Sequence, residues 1–175
     1  MMIINETCIL PQFGLLGASV KVYAGEPVLK VTLVWTDPPG TTSASLHRIN
    51  DLNLKVTSPS RLTYRGNWGL TSGIWSTSGG AADTLNTVEN VFVQNPEPGL
   101  WTVEVKALDI NQDGHIETPG MDADFALVIS GAQPFGVCQL PGGGSVVTDR
   151  ADCLAQGGAY DGDITSCDPC PITCE

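Results

Sequence analysis

Short stretches of alternating apolar and polar residues recur along the chain. Residues 52–57 and 101–106 alternate strictly, which is typical of strands with one buried and one solvated face. Residues 28–36 are rich in β-branched side chains, and residues 125–129 are almost wholly apolar, which indicates more deeply buried strands. No segment keeps a helical apolar period over ~11 residues. The pattern predicts an all-β protein, a jelly-roll-like antiparallel β-sandwich of about seven to nine strands.

Proline and glycine mark the ends of the predicted strands and the domain boundary. Asp37-Pro38-Pro39-Gly40 ends the strongest strand, because proline lacks the backbone donor and glycine permits a tight turn. Residues 66–86, rich in Gly, Ser and Thr, are interpreted as a long connection that packs its aromatic side chains on the sandwich. After residues 131–134 the composition changes. We therefore divide the chain into a lead-in segment (1–19), a β-sandwich (20–131) and a cysteine-rich tail (132–175).

Composition favours a turn-rich extracellular protein. The chain is 42% apolar and contains 20 glycines and 12 prolines. Acidic residues outnumber basic residues 19 to 8, and the net charge of −11 argues against nucleic acid or an anionic membrane as a partner. Surplus carboxylates suit a secreted protein or a cation binder, although a merely solvated acidic surface is the alternative. No apolar run reaches ~18–20 residues. The start lacks the basic region of a signal peptide, so we expect a fragment of a longer precursor.

Five of the six cysteines lie in the tail, and Cys8 lies near the start. The tail has little apolar content, so disulfides formed in an oxidising compartment would have to stabilise it. The spacing Cys167-x-x-Cys170 also suits a zinc site, but no second such pair and no histidine lie nearby in the sequence. We expect disulfides, with Cys8 bonded to a tail cysteine or to one in a preceding segment.

Residues 109–117 carry oxygen-bearing side chains at alternate positions, with a glycine after the third. Calcium takes six to eight oxygens at about 2.4 Å, and a turn at Gly114 would aim several at one point. The pattern matches the first positions of an EF-hand-type loop, but Gly120 stands where the final glutamate is expected. Ile116 should pin the loop to the core, and an ordinary polar turn is the alternative. The predicted Ca²⁺ ligands are Asp109, Asn111, Asp113, His115 (through its carbonyl), Glu117, Asp122 and Asp124.

The four tryptophans divide into two pairs. Trp35 and Trp101 fall within strand patterns and are expected in the core. Trp68 and Trp75 fall in the polar connection, where exposed indoles would suit the stacking of sugar rings. They are weak candidates for carbohydrate binding.

Three phrases, KVTLVWTDPP (30–39), NDLNLKVTSP (50–59) and NPEPGLWTVEV (95–105), each join a strand to a turn. In this order they resemble the β-sandwich that follows the catalytic domain in some secreted subtilisin-like serine proteases (peptidase S8). They resemble more loosely the P domain of proprotein convertases, where Asp-Leu, Ser-Pro and Pro-x-x-Gly-x-Trp recur. The resemblance covers roughly residues 28–130. Residues 136–167 are similar to a small cysteine-rich repeat found at the ends of extracellular bacterial proteins of the planctomycete type.

The resemblance implies a non-catalytic accessory domain that is stabilised by calcium and packs against a serine protease domain in cis. Such a domain would stabilise the protease or help it to place substrate. The resembled sandwiches bind calcium near strand ends, which implies a second, weaker metal site at Asp37, Asp51 and Glu89. The alternative there is that Asp51 and Asn50 satisfy turn amides and Glu89 is solvated.

No catalytic set is predicted within this chain. A Ser-His-Asp triad needs a base beside an activated serine. His47 lies in a polar loop and His115 in the acidic loop, and residues 40–44 resemble the subtilase serine motif only faintly. The alternative function is a carbohydrate- or surface-binding module of another extracellular enzyme, with a glycan or cell-surface ligand as its partner.

Overall fold

The computed structural model describes residues 1–163 and 165–168. Within them, the named strands all pair antiparallel and one short helix interrupts them. The prediction of an all-β antiparallel sandwich is confirmed. None of the described helical residues form a segment with the length and hydropathy needed to span a bilayer.

The smaller layer is a four-stranded sheet. Its strands alternate so that one face is buried in the sandwich, while side chains such as Ile3, Val34 and Val128 face outward. In spatial order its strands are β1 (Met2–Ile4), β10 (Ala126–Ser130), β4 (Val28–Val34) and β7 (Val88–Gln94).

The larger layer is an eight-stranded sheet built around β8, whose long alternation buries every second side chain. Its main path runs β12 (Ser145–Asp149), β11 (Gln133–Gln139), β3 (Leu15–Val22), β8 (Gly99–Asp109), β5 (Asp51–Thr57) and β6 (Thr63–Arg65). Off this path, β13 (Ala159–Asp163) pairs with β11 and β14 (Thr165–Asp168) pairs with β3. A separate two-stranded sheet joins β2 (Ile9–Pro11) to β9 (Asp122–Asp124), and α1 spans Arg150–Ala155.

The hydrophobic core lies between the two layers and is continuous. Trp35 and Trp101 are buried in it, as predicted, and each indole N–H finds a carbonyl. Trp35 Nε1 donates to Asn50 O at 3.2 Å, and Trp101 Nε1 donates to Glu97 O at 2.9 Å. Both rings therefore bury their apolar area without leaving an unpaired donor.

Both ends of the described chain are built into the sandwich. Residues 1–19, predicted as a lead-in, contribute β1, β2 and the first half of β3. The tail enters through β11, which pairs with β3. Lys21 Nζ then contacts Asp149 Oδ2 at 2.9 Å and Asp152 Oδ2 at 2.8 Å. These contacts join the tail to the sandwich as an extension of one sheet.

A disulfide joins Cys138 and Cys153, so the expectation of a disulfide in the tail is confirmed for this pair. Cys8 is fully buried in the hydrophobic core. The predicted bonding of the remaining cysteines rests on Cys167, Cys170 and Cys174, whose side chains lie outside the described residues.

Candidate cation-binding site

The acidic loop begins where β8 ends, and the amide of Asn50 holds its first turn. Asn50 is fully buried, and its Oδ1 accepts from the backbone N–H of Asn111 at 2.9 Å and of Gln112 at 3.1 Å. Its Nδ2 donates to Gln112 O at 2.8 Å. One side chain from the residue that precedes β5 thus satisfies the backbone of this turn, which a cation alone would not require. This agrees with the alternative given for Asn50 in the sequence, in which it satisfies turn amides.

The first two predicted ligands lie at this turn. Asp109 pairs across the strands with Asp51, and its side chain is exposed. Asn111 donates its Nδ2 to Ile49 O at 2.9 Å. The predicted anchor Ile116 is 82% exposed, so that expectation is wrong, and the buried Ile110 anchors the loop instead. Both isoleucines lie in the acidic loop of the sequence, and only the folded structure shows which of the two is buried.

The second half of the loop gathers around Thr118 and Asp122. Gly114 N donates to Asp122 O at 2.8 Å, and Thr118 Oγ1 donates to Asp122 Oδ2 at 2.8 Å. The carbonyl of His115, predicted to bind metal, accepts from Thr118 N at 3.3 Å. Asp113 Oδ1 accepts from His115 N at 3.2 Å. These bonds fold residues 113–122 back onto β9.

Charged side chains converge on the imidazole of this half-loop. His115 Nδ1 lies 4.0 Å from Asp122 Oδ1, and His115 Nε2 lies 3.8 Å from Glu117 Oε2. Burial raises the pKa of Asp124, and the negative charges of Glu117 and Glu6 add to that effect, while His115 opposes it. The structure therefore brings His115, Glu117, Asp122 and Asp124 into one electrostatic group.

Two carboxylate oxygens in this group are buried without a hydrogen-bond partner, Asp122 Oδ1 and Asp124 Oδ1. Asp122 is only 6% exposed. An unpaired buried acceptor costs about 1–3 kcal/mol, more for a charged group, so such atoms normally have a proton, water or cation as partner. The chemistry of the donor set suits a hard cation. Within the described residues, no three His, Cys, Asp or Glu side chains converge at metal-binding distances.

The three residues of the predicted second metal site have different partners in the structure. Asp37 accepts from the backbone N–H groups of Ile49 at 2.6 Å and Asn50 at 2.8 Å, so its carboxylate fixes a turn. Asp51 is buried, accepts from Asn53 Nδ2 at 2.9 Å and lies 3.5 Å from the Arg48 guanidinium. Burial raises the pKa of Asp51, and Arg48 opposes that effect.

Glu89 is fully buried, so the alternative in which it is solvated is wrong. Its Oε2 accepts from the backbone N–H of Leu54 in β5 at 2.7 Å, while its Oε1 has no hydrogen-bond partner. Burial raises its pKa to about 8, against the opposing effect of the Leu54 N–H, and Asp83 and Asp51 raise it further. A Cβ at Gly66 would overlap the Glu89 carboxylate, so this position needs glycine. Neither Gly66 nor Asn53, whose Oδ1 is also unpartnered, was singled out from sequence.

The remaining aromatic candidates differ in exposure. Trp68 is 44% exposed, whereas Trp75 is half-buried. Gly80, at φ +80°, packs against the Trp68 ring so closely that a Cβ there would overlap it. The polar connection is therefore folded around Trp68.

The three phrases of the sequence contact one another in space. Asp37 and Trp35 of the first phrase bind the backbone of Asn50, which opens the second. The end of the second phrase meets the third, because Ser60 N, next to Pro59, donates to Glu97 Oε1 at 2.8 Å. A Cβ at Gly99 would come within 2.8 Å of the Pro59 ring. The turn residues of the phrases thus form a connected set of contacts.

No protein-family model matches the chain, and no curated protein matches it with significance. The class of the protein accordingly comes from its fold, an all-β antiparallel sandwich extended by a disulfide-bonded tail.

Proposed function

We propose that this chain is a non-catalytic, calcium-stabilised accessory sandwich of a secreted subtilisin-like serine protease. The observation that carries the proposal is the mutual contact of the three phrases through Trp35, Asp37, Asn50 and Glu97. These contacts give a structural reason why the three phrases would occur together in one sandwich. The buried disulfide of the tail supports an oxidising compartment.

Calcium is the cation that the loop favours. The fit rests on the two buried, unpartnered oxygens of Asp122 and Asp124, and Glu117 is the nearby acid that is exposed enough to move. Those three side chains would hold the ion, with waters completing its shell. A bound ion would neutralise the acids of the loop and stabilise only the folded state, by mass action.

The accessory role would be exerted on the protease domain in cis. The large sheet presents charged residues outward, including the Lys55–Glu104 pair, while the outer face of the small sheet carries Ile3, Val34 and Val128. Packing against a catalytic domain would bury such apolar positions, which are unusual on the outer face of an antiparallel sheet.

The reading frame before Met1 tests the protease assignment. We expect it to encode the Asp, His and Ser motifs of a subtilase domain, and a glycosidase there would overturn the proposal. The parent enzyme should lose activity on heating several times faster when residues 1–175 are deleted, with an unchanged kcat at low temperature. Equal inactivation rates with and without the domain would contradict a stabilising role. The isolated chain should cleave no peptide substrate.

A further inference from the structure

The connection of residues 66–86 is held rigidly against the sandwich by its polar side chains. Asn67 bonds this connection to β7: its backbone N–H donates to Asn90 O at 2.8 Å, and its Oδ1 accepts from Asn90 N at 2.9 Å. Its Nδ2 donates to Asp83 Oδ2 at 2.6 Å. Ser76 extends the edge of β7, donating its N–H to Phe92 O at 2.8 Å and accepting from Phe92 N at 3.0 Å. The backbone on both sides of Trp68 is thereby fixed.

One face of the Trp68 indole is covered and the rest is open. A Cβ at Gly80 would overlap Cγ, Cδ2 and Cε2 of this ring. Cδ2 and Cε2 are the ring-fusion atoms, which a neighbour reaches only from a face. Trp68 is 44% exposed, and since Gly80 covers that face, the exposed part of the ring lies on its opposite face or along its edge. An indole held in this way keeps a flat apolar surface open to solvent at little further cost in entropy.

The connection that carries Trp68 contains very little charge. Residues 66–86 contain a single ionisable side chain, Asp83, although the chain as a whole has a net charge of −11. The Asp83 carboxylate accepts hydrogen bonds from the side chains of Asn67 and Asn86. Burial raises the pKa of Asp83, but these hydrogen bonds outweigh burial and lower it. The rest of the connection is mainly Gly, Ser, Thr and Asn, which offer hydroxyl, amide and backbone groups.

We propose that Trp68 is the stacking platform of a binding site for a neutral polysaccharide. A pyranose ring offers an apolar C–H face to the indole and hydroxyl groups to a polar rim, which is the combination that this loop presents. The acidic surface elsewhere disfavours anionic glycans. The site lies in a different loop from the cation site, and it does not depend on the protease assignment.

Affinity electrophoresis of the whole chain tests the platform. The gels would contain hydroxyethyl cellulose, arabinoxylan, galactomannan or glycol chitin, with alginate as the anionic polymer. At least one neutral polymer should retard the wild-type chain. Trp68→Ala should weaken that binding about tenfold or more, whereas Trp68→Phe should keep most of it. Ile74→Ala is the matched control, because Ile74 is 75% exposed in the same loop but has no ring to stack.

Circular dichroism melts should show that Trp68→Ala keeps its fold, so that lost binding is not lost structure. The proposal is overturned if no neutral polymer retards the wild-type chain, if Trp68→Ala binds as tightly as the wild type, or if only alginate is bound. Retention that disappears equally in Ile74→Ala would also contradict it, since an aliphatic patch would then be responsible.

Discussion

The two acidic groups of this protein differ in how their charge is balanced. In the group around Glu89, Arg48 lies beside Asp51, and Glu89 has a pKa of about 8, so it carries a proton at neutral pH. In the loop group, His115 is the only nearby base among the described side chains, and it faces Glu117, Asp122 and Asp124. Buried carboxylates need a compensating charge or proton. The first group is therefore balanced within the protein, whereas the acids of the second have, in the described part of the chain, only His115 nearby, and for that reason we propose a cation there.

The largest expected effect concerns Asn50, which precedes Asp51 and holds the first turn of the acidic loop. Asn50→Ala should destabilise the protein by about 3 kcal/mol, because this fully buried side chain makes three hydrogen bonds to the backbone of Asn111 and Gln112. Denaturant unfolding would measure the loss. Asn111→Ala is the control, since its exposed side chain makes one bond to Ile49 O, and it should cost less than about 1 kcal/mol. Equal losses in the two variants would contradict the role given to Asn50.

The balance within the Glu89 group predicts a pH dependence of stability. The pKa of Glu89 rises from 4.5 to about 8 on folding, so the folded state holds a proton that the unfolded state releases between those values. The free energy of unfolding should therefore fall as pH rises from about 5 to 8, by up to ~1.4 kcal/mol per pH unit, and level off above. Glu89→Gln should flatten this slope and be the more stable protein at pH 8, by about 2 kcal/mol or more.

Urea unfolding from pH 5 to 9 would measure both curves. Glu104→Gln, which removes a partly exposed carboxylate of β8, should leave the slope as it is in the wild type. Parallel curves for the wild type and Glu89→Gln would show that Glu89 is ionised when folded, and the Glu89 group would then be a second candidate for the cation.

The loop group should respond to calcium and not to pH alone. Asp122→Asn and Asp124→Asn should each remove most of the stabilisation by calcium, which is about 2.7 kcal/mol when the ion is at 100 times its Kd. Both variants should be at least as stable as the wild type in EGTA, because each removes a carboxylate that has one buried oxygen without a hydrogen-bond partner. Variants that keep the full calcium effect would exclude these two acids as ligands.

The smallest effect is expected at Asp109, the first ligand in the sequence pattern. Asp109→Asn should change the free energy of unfolding by less than about 0.5 kcal/mol, because the Asp109 side chain is exposed. It should also keep the stabilisation by calcium, because Asp109 lies at the end of β8 beside Asp51. If Asp109→Asn abolished the stabilisation by calcium and Asp122→Asn did not, Asp109 would be the ligand, as the EF-hand-type sequence pattern predicts.

Much of the sandwich could be predicted because its long strands alternate. The patterns at residues 28–36, 52–57 and 101–106 correspond to β4, β5 and β8. The three-residue strands β1, β2 and β9 carry too short a pattern to be recognised, since their partners determine them. The helix α1 is also short, and the cap that starts it, Asp149, looks in sequence like any turn aspartate.

The candidate site was less predictable than the fold. Spacing along the chain identified the acidic loop, but it could not show that Asn50 would replace a ligand in organising the first turn. Nor could it show that Glu89 would be buried under Gly66, because that contact joins the two sheets. These contacts form between segments that are distant in the chain, so the local order of residues does not reveal them.

The central claim is that the loop of residues 113–124 binds calcium and thereby stabilises the sandwich. The most direct test is the melting temperature of the wild-type chain in EGTA, in millimolar Ca²⁺ and in the same concentration of Mg²⁺. We expect the melting temperature to rise by about 5 °C or more with Ca²⁺ and by much less with Mg²⁺. An identical melting temperature in EGTA and Ca²⁺ would contradict it.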